Sequence, residues 1–202
     1  KEISGSNPNL KPETGKTFNI GFIFEPVNAV AVGIDFWRIQ KQDEINTLTV
    51  ESAIEQGNFA TVNGEGVVFV NNANVAATEN QGVDLDFRVR VGDTPFGRLT
   101  IRNAATYYDK ISSQFEPGDP FERYEGTFLN PRWRNNFSAN LERGPWSSTF
   151  TIRTTAHMWD TQLAQGSFSR DERKVGTFEE VDVNVQYTGI KNLQLSGTVR
   201  NL

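Results

Sequence analysis

The chain has 202 residues, with 25 acidic and 20 basic side chains, one histidine and a net charge of −5. It has no cysteine, which excludes a disulfide scaffold, a thiolate metal site and a cysteine nucleophile. The acidic balance without a basic stripe argues against nucleic acid as a partner. No apolar run approaches the ~20 residues a membrane helix needs.

In chain order, Lys1 to Asn9 is polar and holds no apolar signal core, as expected of a mature chain or a piece cut from a longer one. Polar and apolar residues then alternate through some eight segments. Phe18, Ile20, Phe22 and Phe24 share a face opposite Asn19 and Gly21. Val30, Val32, Ile34 and Phe36 oppose Gly33 and Asp35. Val83, Leu85, Phe87, Val89 and Val91 oppose Asp84, Asp86, Arg88 and Arg90. Leu99 and Ile101 oppose Thr100 and Arg102, and Phe137, Ala139 and Leu141 oppose Asn136, Ser138 and Asn140. Phe150 and Ile152 oppose Thr151 and Arg153. Val181, Val183 and Val185 oppose Asp182 and Asn184, and Leu193, Leu195 and Val199 oppose Gln194, Thr198 and Arg200. Strands put successive side chains on opposite faces, so each segment has one apolar and one polar face. Asn103, Asn135, Ser148 and Thr154 interrupt the apolar face.

Connections alternate in length. Glu25–Ala29, Gly92–Gly97, Arg143–Pro145 and Thr188–Asn192 are short and carry turn residues. The stretches near 46–81, 109–132 and 161–179 are long, and Val67 to Val70 suggests a short strand within the first. Phe24, Phe96, Trp146 and Tyr187 lie by short turns, while Phe18, Trp37, Tyr107, Trp133 and Trp159 lie toward long ones, as two aromatic belts would. This predicts an all-β antiparallel meander of about eight long strands. Periodicity alone does not say which face points inward, and a lipocalin-like barrel or a β-sandwich alternates in the same way. Strands of about 10 residues, sided loops and a polar face poor in lysine favour a transmembrane barrel with lipid outside and water inside.

Specific stretches carry a family resemblance. NPNLKPE (Asn7–Glu13) leads into a strand, and VGIDFWRIQKQDEI (Val32–Ile45), ENQGVDLDFRVR (Glu79–Arg90), PRWRNNFSANLERGPWSSTFTIR (Pro131–Arg153) and GIKNLQLSGTVRNL (Gly189–Leu202) follow. Taken in this order they resemble the later barrel strands of TonB-dependent outer-membrane receptors. The resemblance covers nearly the whole chain except the long loops. The family's plug, TonB-binding segment and final aromatic-ended strand have no counterpart here. It implies an interior piece of a barrel of about 22 strands, with residues 1–16 ending an extracellular loop and 17–202 forming wall and loops.

By that resemblance the function is uptake of a ferric siderophore, haem, cobalamin or an oligosaccharide. The implied partners are outer-membrane lipid, the remaining strands and plug, TonB acting through the missing N-terminal part, and a small-molecule or oligosaccharide ligand. Two other readings remain: a self-contained structural or adhesive outer-membrane barrel, whose end strands would pair, and a soluble lipocalin-like binder.

No catalytic or metal constellation is evident, no cofactor is implied, and the expectation is that the chain is not an enzyme. His157 is the only histidine. The polar face places Asp35, Asp84, Asp86, Arg88, Arg90, Arg102, Arg153, His157, Asp182 and Arg200 along the lumen. Ligand contacts are expected from loop tips at Phe115, Phe121, Arg123, Tyr124, Trp159, Phe168 and Arg170, because aromatics and arginines suit sugar faces or anionic chelates.

Overall fold

The computed structural model describes residues 1–5, 7–166 and 173–202. Eight strands form one antiparallel wall in sequential neighbour order. They are β1 (Thr14–Val27), β2 (Val30–Thr47), β3 (Asn72–Thr94), β4 (Gly97–Gln114), β5 (Trp133–Arg143), β6 (Trp146–Thr155), β7 (Phe178–Ile190) and β8 (Leu193–Val199). Two-residue turns join β1 to β2, β3 to β4, β5 to β6 and β7 to β8. Gly144 (φ 56°) and Asn192 (φ 60°) occupy the left-handed conformation in two of them, which Gly and Asn tolerate best. The only helix among the described residues is α1 (Val50–Glu55), started by Thr49, whose hydroxyl accepts a hydrogen bond from the Ser52 amide at 3.1 Å.

Register converts the sequence alternation into two continuous faces. One apolar row runs Phe24, Val32, Phe87, Asn103, Phe137, Ile152, Val181. The next runs Val30, Val89, Ile101, Ala139, Phe150, Val183, Val199. Asn103 is half-buried, with Phe87 and Phe137 as its cross-strand neighbours. Asn135 and Thr154 are neighbours in register and continue into Glu179, so they mark a polar boundary of the apolar band rather than breaks within it. Nothing in the structure accounts for Ser148.

The strands on either side of the first long loop extend past the expected boundaries. That loop was expected near 46–81, but β2 reaches Thr47 and β3 begins at Asn72 and runs 23 residues. Beyond the apolar band both faces are polar, so the period-2 signal fades while the backbone ladder continues through Lys41↔Thr78 to Thr47↔Asn72. Likewise β4 extends to Gln114, and the third long connection runs 156–177. The strand suggested at Val67 to Val70 exists as Glu65–Phe69. It pairs with Phe59–Val62 across Asn63 (φ 53°) and Gly64 (φ 81°), an Asn-Gly turn of the hairpin-closing kind. Glu2–Ile3 joins this small sheet in parallel.

Neither β1 nor β8 has a partner on its outer edge among the described residues, and the two do not pair with each other. Phe22 and Phe24 are 70% and 66% exposed. The apolar face is therefore uncovered.

Candidate functional site

The polar face carries charge in rows. Asp35 sits directly opposite Asp84, and Arg88 directly opposite Arg102. Like charges so placed repel, and the neighbourhood relieves them. The Asp35 carboxylate leans over Gly21, where any Cβ would collide with it. The Thr106 hydroxyl donates to Asp84 at 2.7 Å, and Arg88 pairs with Glu25 at 3.3 Å. Asp86, Arg88 and Arg102 share an open hollow of about 690 Å³ with Asp35, Asn136 and Ser138. Farther along, Arg153 pairs with Asp182 at 2.8 Å and Glu180 at 3.5 Å. Exposed pairs of this sort contribute little stability each, so they order the wall's side chains rather than hold the wall together. Arg90 is exposed opposite Thr100. Arg200 follows the end of β8, where the Asn201 amide donates to Asp182 at 3.1 Å. β6 ends at Thr155, so the alternation that placed His157 among the lumen residues does not reach it; His157 is an exposed loop residue.

Aromatics flank the apolar band. Tyr107 and Trp133 are cross-strand neighbours toward the long loops, and the Trp146 and Tyr187 rings meet at a tilt of 43° with centroids 4.5 Å apart beside the short turns. Trp37 shares the parity of Asp35, so it belongs to the polar face and not to the belt. Its indole lies where a Cβ on Gly82 would sit, and it meets Tyr108 edge-on at 5.8 Å.

At the long-loop end the connections are tied together. Glu116 accepts hydrogen bonds from the hydroxyls of Thr49 (3.0 Å) and Ser52, joining the first loop to the second. The Trp159 amide donates to the Gly126 carbonyl (2.8 Å), Phe128 to Thr161 (2.9 Å) and Gln165 to Arg123 (2.7 Å), joining the second to the third. The second loop also repairs a seam. β4 pairs with β5 as far as Tyr107↔Trp133, then with Glu122–Arg123 from Ser112. Between these, Glu125 replaces a backbone partner and accepts from the Ile111 amide at 3.3 Å. Its fully buried side chain lies 2.5 Å from the Arg123 guanidinium and 3.7 Å from that of Arg132. Two arginines offset the cost of burying that carboxylate. Tyr124 donates to Glu122 at 2.7 Å. Burial, and then the Glu122 carboxylate, push its phenol up to about 12.

Of the loop residues singled out from the sequence, Arg123, Tyr124 and Trp159 come together around Glu125 and Gly126. Phe121 lies apart from them with its ring 5.5 Å from the Lys110 ammonium, and Phe115 is exposed just past β4. Phe168 and Arg170 lie outside the described residues. Sequence reasoning missed Glu125, Arg132 and Gln165 and gave Trp133 to the aromatic belt alone; these four line a second hollow of about 380 Å³ with His157 and Trp159. The clue was an acid between two arginines in one loop, a signal with no period to expose it. Among the described residues no group of three or more His, Asp and Glu side chains is placed to hold a metal ion.

The model of the family described as TonB dependent receptor-like, beta-barrel, matches residues 1–202. No match is found among curated proteins. Among solved structures, the chain resembles the ferric enterobactin receptor PfeA of Pseudomonas aeruginosa (17% identity, TM-score 0.73, all of this chain and 27% of that one). It also resembles the siderophore receptor PirA of Acinetobacter baumannii (15%, 0.67, 98% and 29%) and the copper transporter OprC (17%, 0.59, 95% and 26%). The chain therefore spans between a quarter and a third of the length of each. At such identities the likeness is one of fold: a wall of long antiparallel strands. Its match over every residue shows that the chain belongs to the TonB-dependent receptor β-barrel family.

Proposed function

We propose that this chain is wall, lumen lining and external loops of an outer-membrane receptor that takes up a scarce nutrient, driven by the inner-membrane TonB complex acting on parts of the receptor outside these residues. The observation that carries this reading is the two-faced wall with both edges unpaired, in a chain of this family. Open edges in hydrocarbon cost several kcal/mol per unpaired group, so other strands must complete the barrel. The apolar face meets lipid, the charged rows line the lumen, and the long loops lie outside the cell. A self-contained barrel needs β1 to pair with β8. A soluble binder needs the apolar face covered.

The cargo classes are a ferric siderophore, haem, cobalamin or an oligosaccharide. Similar structures named for enterobactin and for copper support a fold whose cargo is chosen by the site rather than the wall. Phe115, Phe121, Arg123, Tyr124 and Trp159 are the described loop residues suited to first contact. The test is transport by energised cells carrying the intact receptor, offered ferric catecholate and hydroxamate siderophores, haem, cobalamin and neutral oligosaccharides. The expected result is accumulation of one class only when both receptor and TonB are present. Accumulation that ignores TonB, or no receptor-dependent accumulation of any class, overturns the proposal.

A further inference from the structure

We infer that residues 42–44 of β2, facing 75–77 of β3, are a two-state hinge of the first long loop, held in one state by the strap of residues 7–13. The inference is independent of what the receptor carries.

The ladder admits two states. Lys41 pairs with Thr78 and Ile45 with Asn74, four residues on along both strands. Between them Glu44 pairs with Ala76, so one extra residue on β2 is followed by one extra residue on β3. The two bulges cancel. A plain ladder through the same stretch, with Asp43 opposite Ala76 and Glu44 opposite Val75, leaves the rungs on either side where they are. Such a change is local, and it turns side chains to the other face. Lys41 and Glu44 show which state is present. Three apart on a regular strand, they would lie on opposite faces. Yet their side chains meet at 3.5 Å, and the Thr78 hydroxyl donates to Glu44 at 2.9 Å. Asp43 bears the cost with φ 56°, a left-handed conformation that aspartate tolerates and β-branched residues resist.

The stretch is free to change because its neighbours stop there. Among the described residues, β1 follows β2 as far as Thr14↔Gln42, and β4 follows β3 as far as Ala77↔Gln114. A hollow of about 250 Å³ beside the bulge, lined by Asp43, Val75, Ala76 and Phe121 among others, leaves room. The strap holds the bulge from outside. Pro8 and Pro12 have no N–H to donate, so side chains supply the rungs. Asn74 accepts from the Lys11 amide at 2.8 Å and donates to the carbonyls of Lys11 (2.8 Å) and Asp43 (2.7 Å). Glu13 accepts from the Ile45 amide at 2.8 Å, and Asn7 donates to the Asn72 carbonyl at 2.8 Å. One side-chain amide thus grips both the NPNLKPE segment and the bulge. Bulges bend and twist their strand, so flattening this one re-aims α1 and the hairpin of Phe59–Val62 and Glu65–Phe69 beyond it.

The test uses the intact receptor in lipid vesicles, with any cysteine outside these residues replaced. Two double variants are oxidised in parallel: Glu44→Cys with Ala76→Cys, and Glu44→Cys with Val75→Cys. A bridge needs side chains on one face and directly opposite. With the strap intact, the pair at 44 and 76 is expected to close about tenfold faster than the pair at 44 and 75. Glu13→Ala and Asn74→Ala free the strap, and Asp43→Val resists the left-handed conformation; each is expected to reverse that preference. Asp43→Gly suits the conformation and keeps the preference. Coupling is reciprocal. In receptor without introduced cysteines, Asp43→Val is therefore expected to speed hydrogen exchange of the Lys11 amide about tenfold, although Asn74 and Lys11 are both still present. The inference is overturned if the pair at 44 and 75 never closes, if Asp43→Gly and Asp43→Val give the same preference, or if the two strap variants leave it unchanged. Should Asp43→Val fail to assemble, Glu13→Ala decides alone.

Discussion

Leu85 and Asp86 are one residue apart, and the wall turns them to opposite solvents. Leu85 lies in register with Ile34 and Ala105 on the apolar face, and Asp86 lines the polar hollow. Leu85→Arg in the intact receptor is expected to cost about 2–4 kcal/mol near the bilayer midplane, whereas Asp86→Asn stays within about 0.5 kcal/mol. Urea unfolding in phospholipid vesicles reads both, and equal costs would contradict the assignment of faces. Tyr124 makes a pH prediction. Its phenol is raised to about 12, by burial and then by Glu122, above the ordinary value near 10. The folded loop thus holds a proton that the unfolded chain releases first. The stabilisation is full below pH 10 and is lost as pH rises toward 12. Absorbance at the tyrosinate band should show one phenol titrating late, missing in Tyr124→Phe. An unchanged titration in that variant would refute the shift.

Among elements, the seam beside β4 is where the fold depends on one side chain. Glu125→Ala leaves the Ile111 amide without its acceptor and Arg123 and Arg132 without their shared carboxylate. The expected local cost is about 1–3 kcal/mol. Hydrogen exchange should speed up around 108–112 while the paired stretch 99–106 of β4 stays protected, and uniform protection in the variant would show the seam closes without Glu125. This seam was invisible in the sequence because it breaks period 2, and Glu125 reads there as one more loop acid. The strands within the apolar band were legible, since alternation survives wherever the two faces meet different solvents. Their extensions Lys41 to Thr47 and Asn72 to Gln81 were not, since water on both faces removes the pattern while leaving the ladder. Trp37 was misread for a related reason: proximity to a long loop suggested the belt, but its parity with Asp35 sets it on the polar face.

For the whole molecule, the central claim is that these eight strands are a two-faced wall within a larger barrel. The meander order and the unpaired edges follow from hairpin spacing and from the family motifs. The ties among the loops, Thr49 and Ser52 to Glu116 and Phe128 to Thr161, join residues far apart in sequence, and no local pattern marks them. These residues hold no native cysteine, so with any cysteine elsewhere in the intact receptor replaced, single cysteines introduced from position 83 to position 89 can each carry a spin label in a lipid bilayer. Collision rates with oxygen, which partitions into lipid, and with a water-soluble nickel chelate report each label's solvent. The account predicts strict alternation: oxygen favoured at positions 83, 85, 87 and 89, the nickel chelate at 84, 86 and 88. Oxygen access at the even positions, or no alternation, would contradict it.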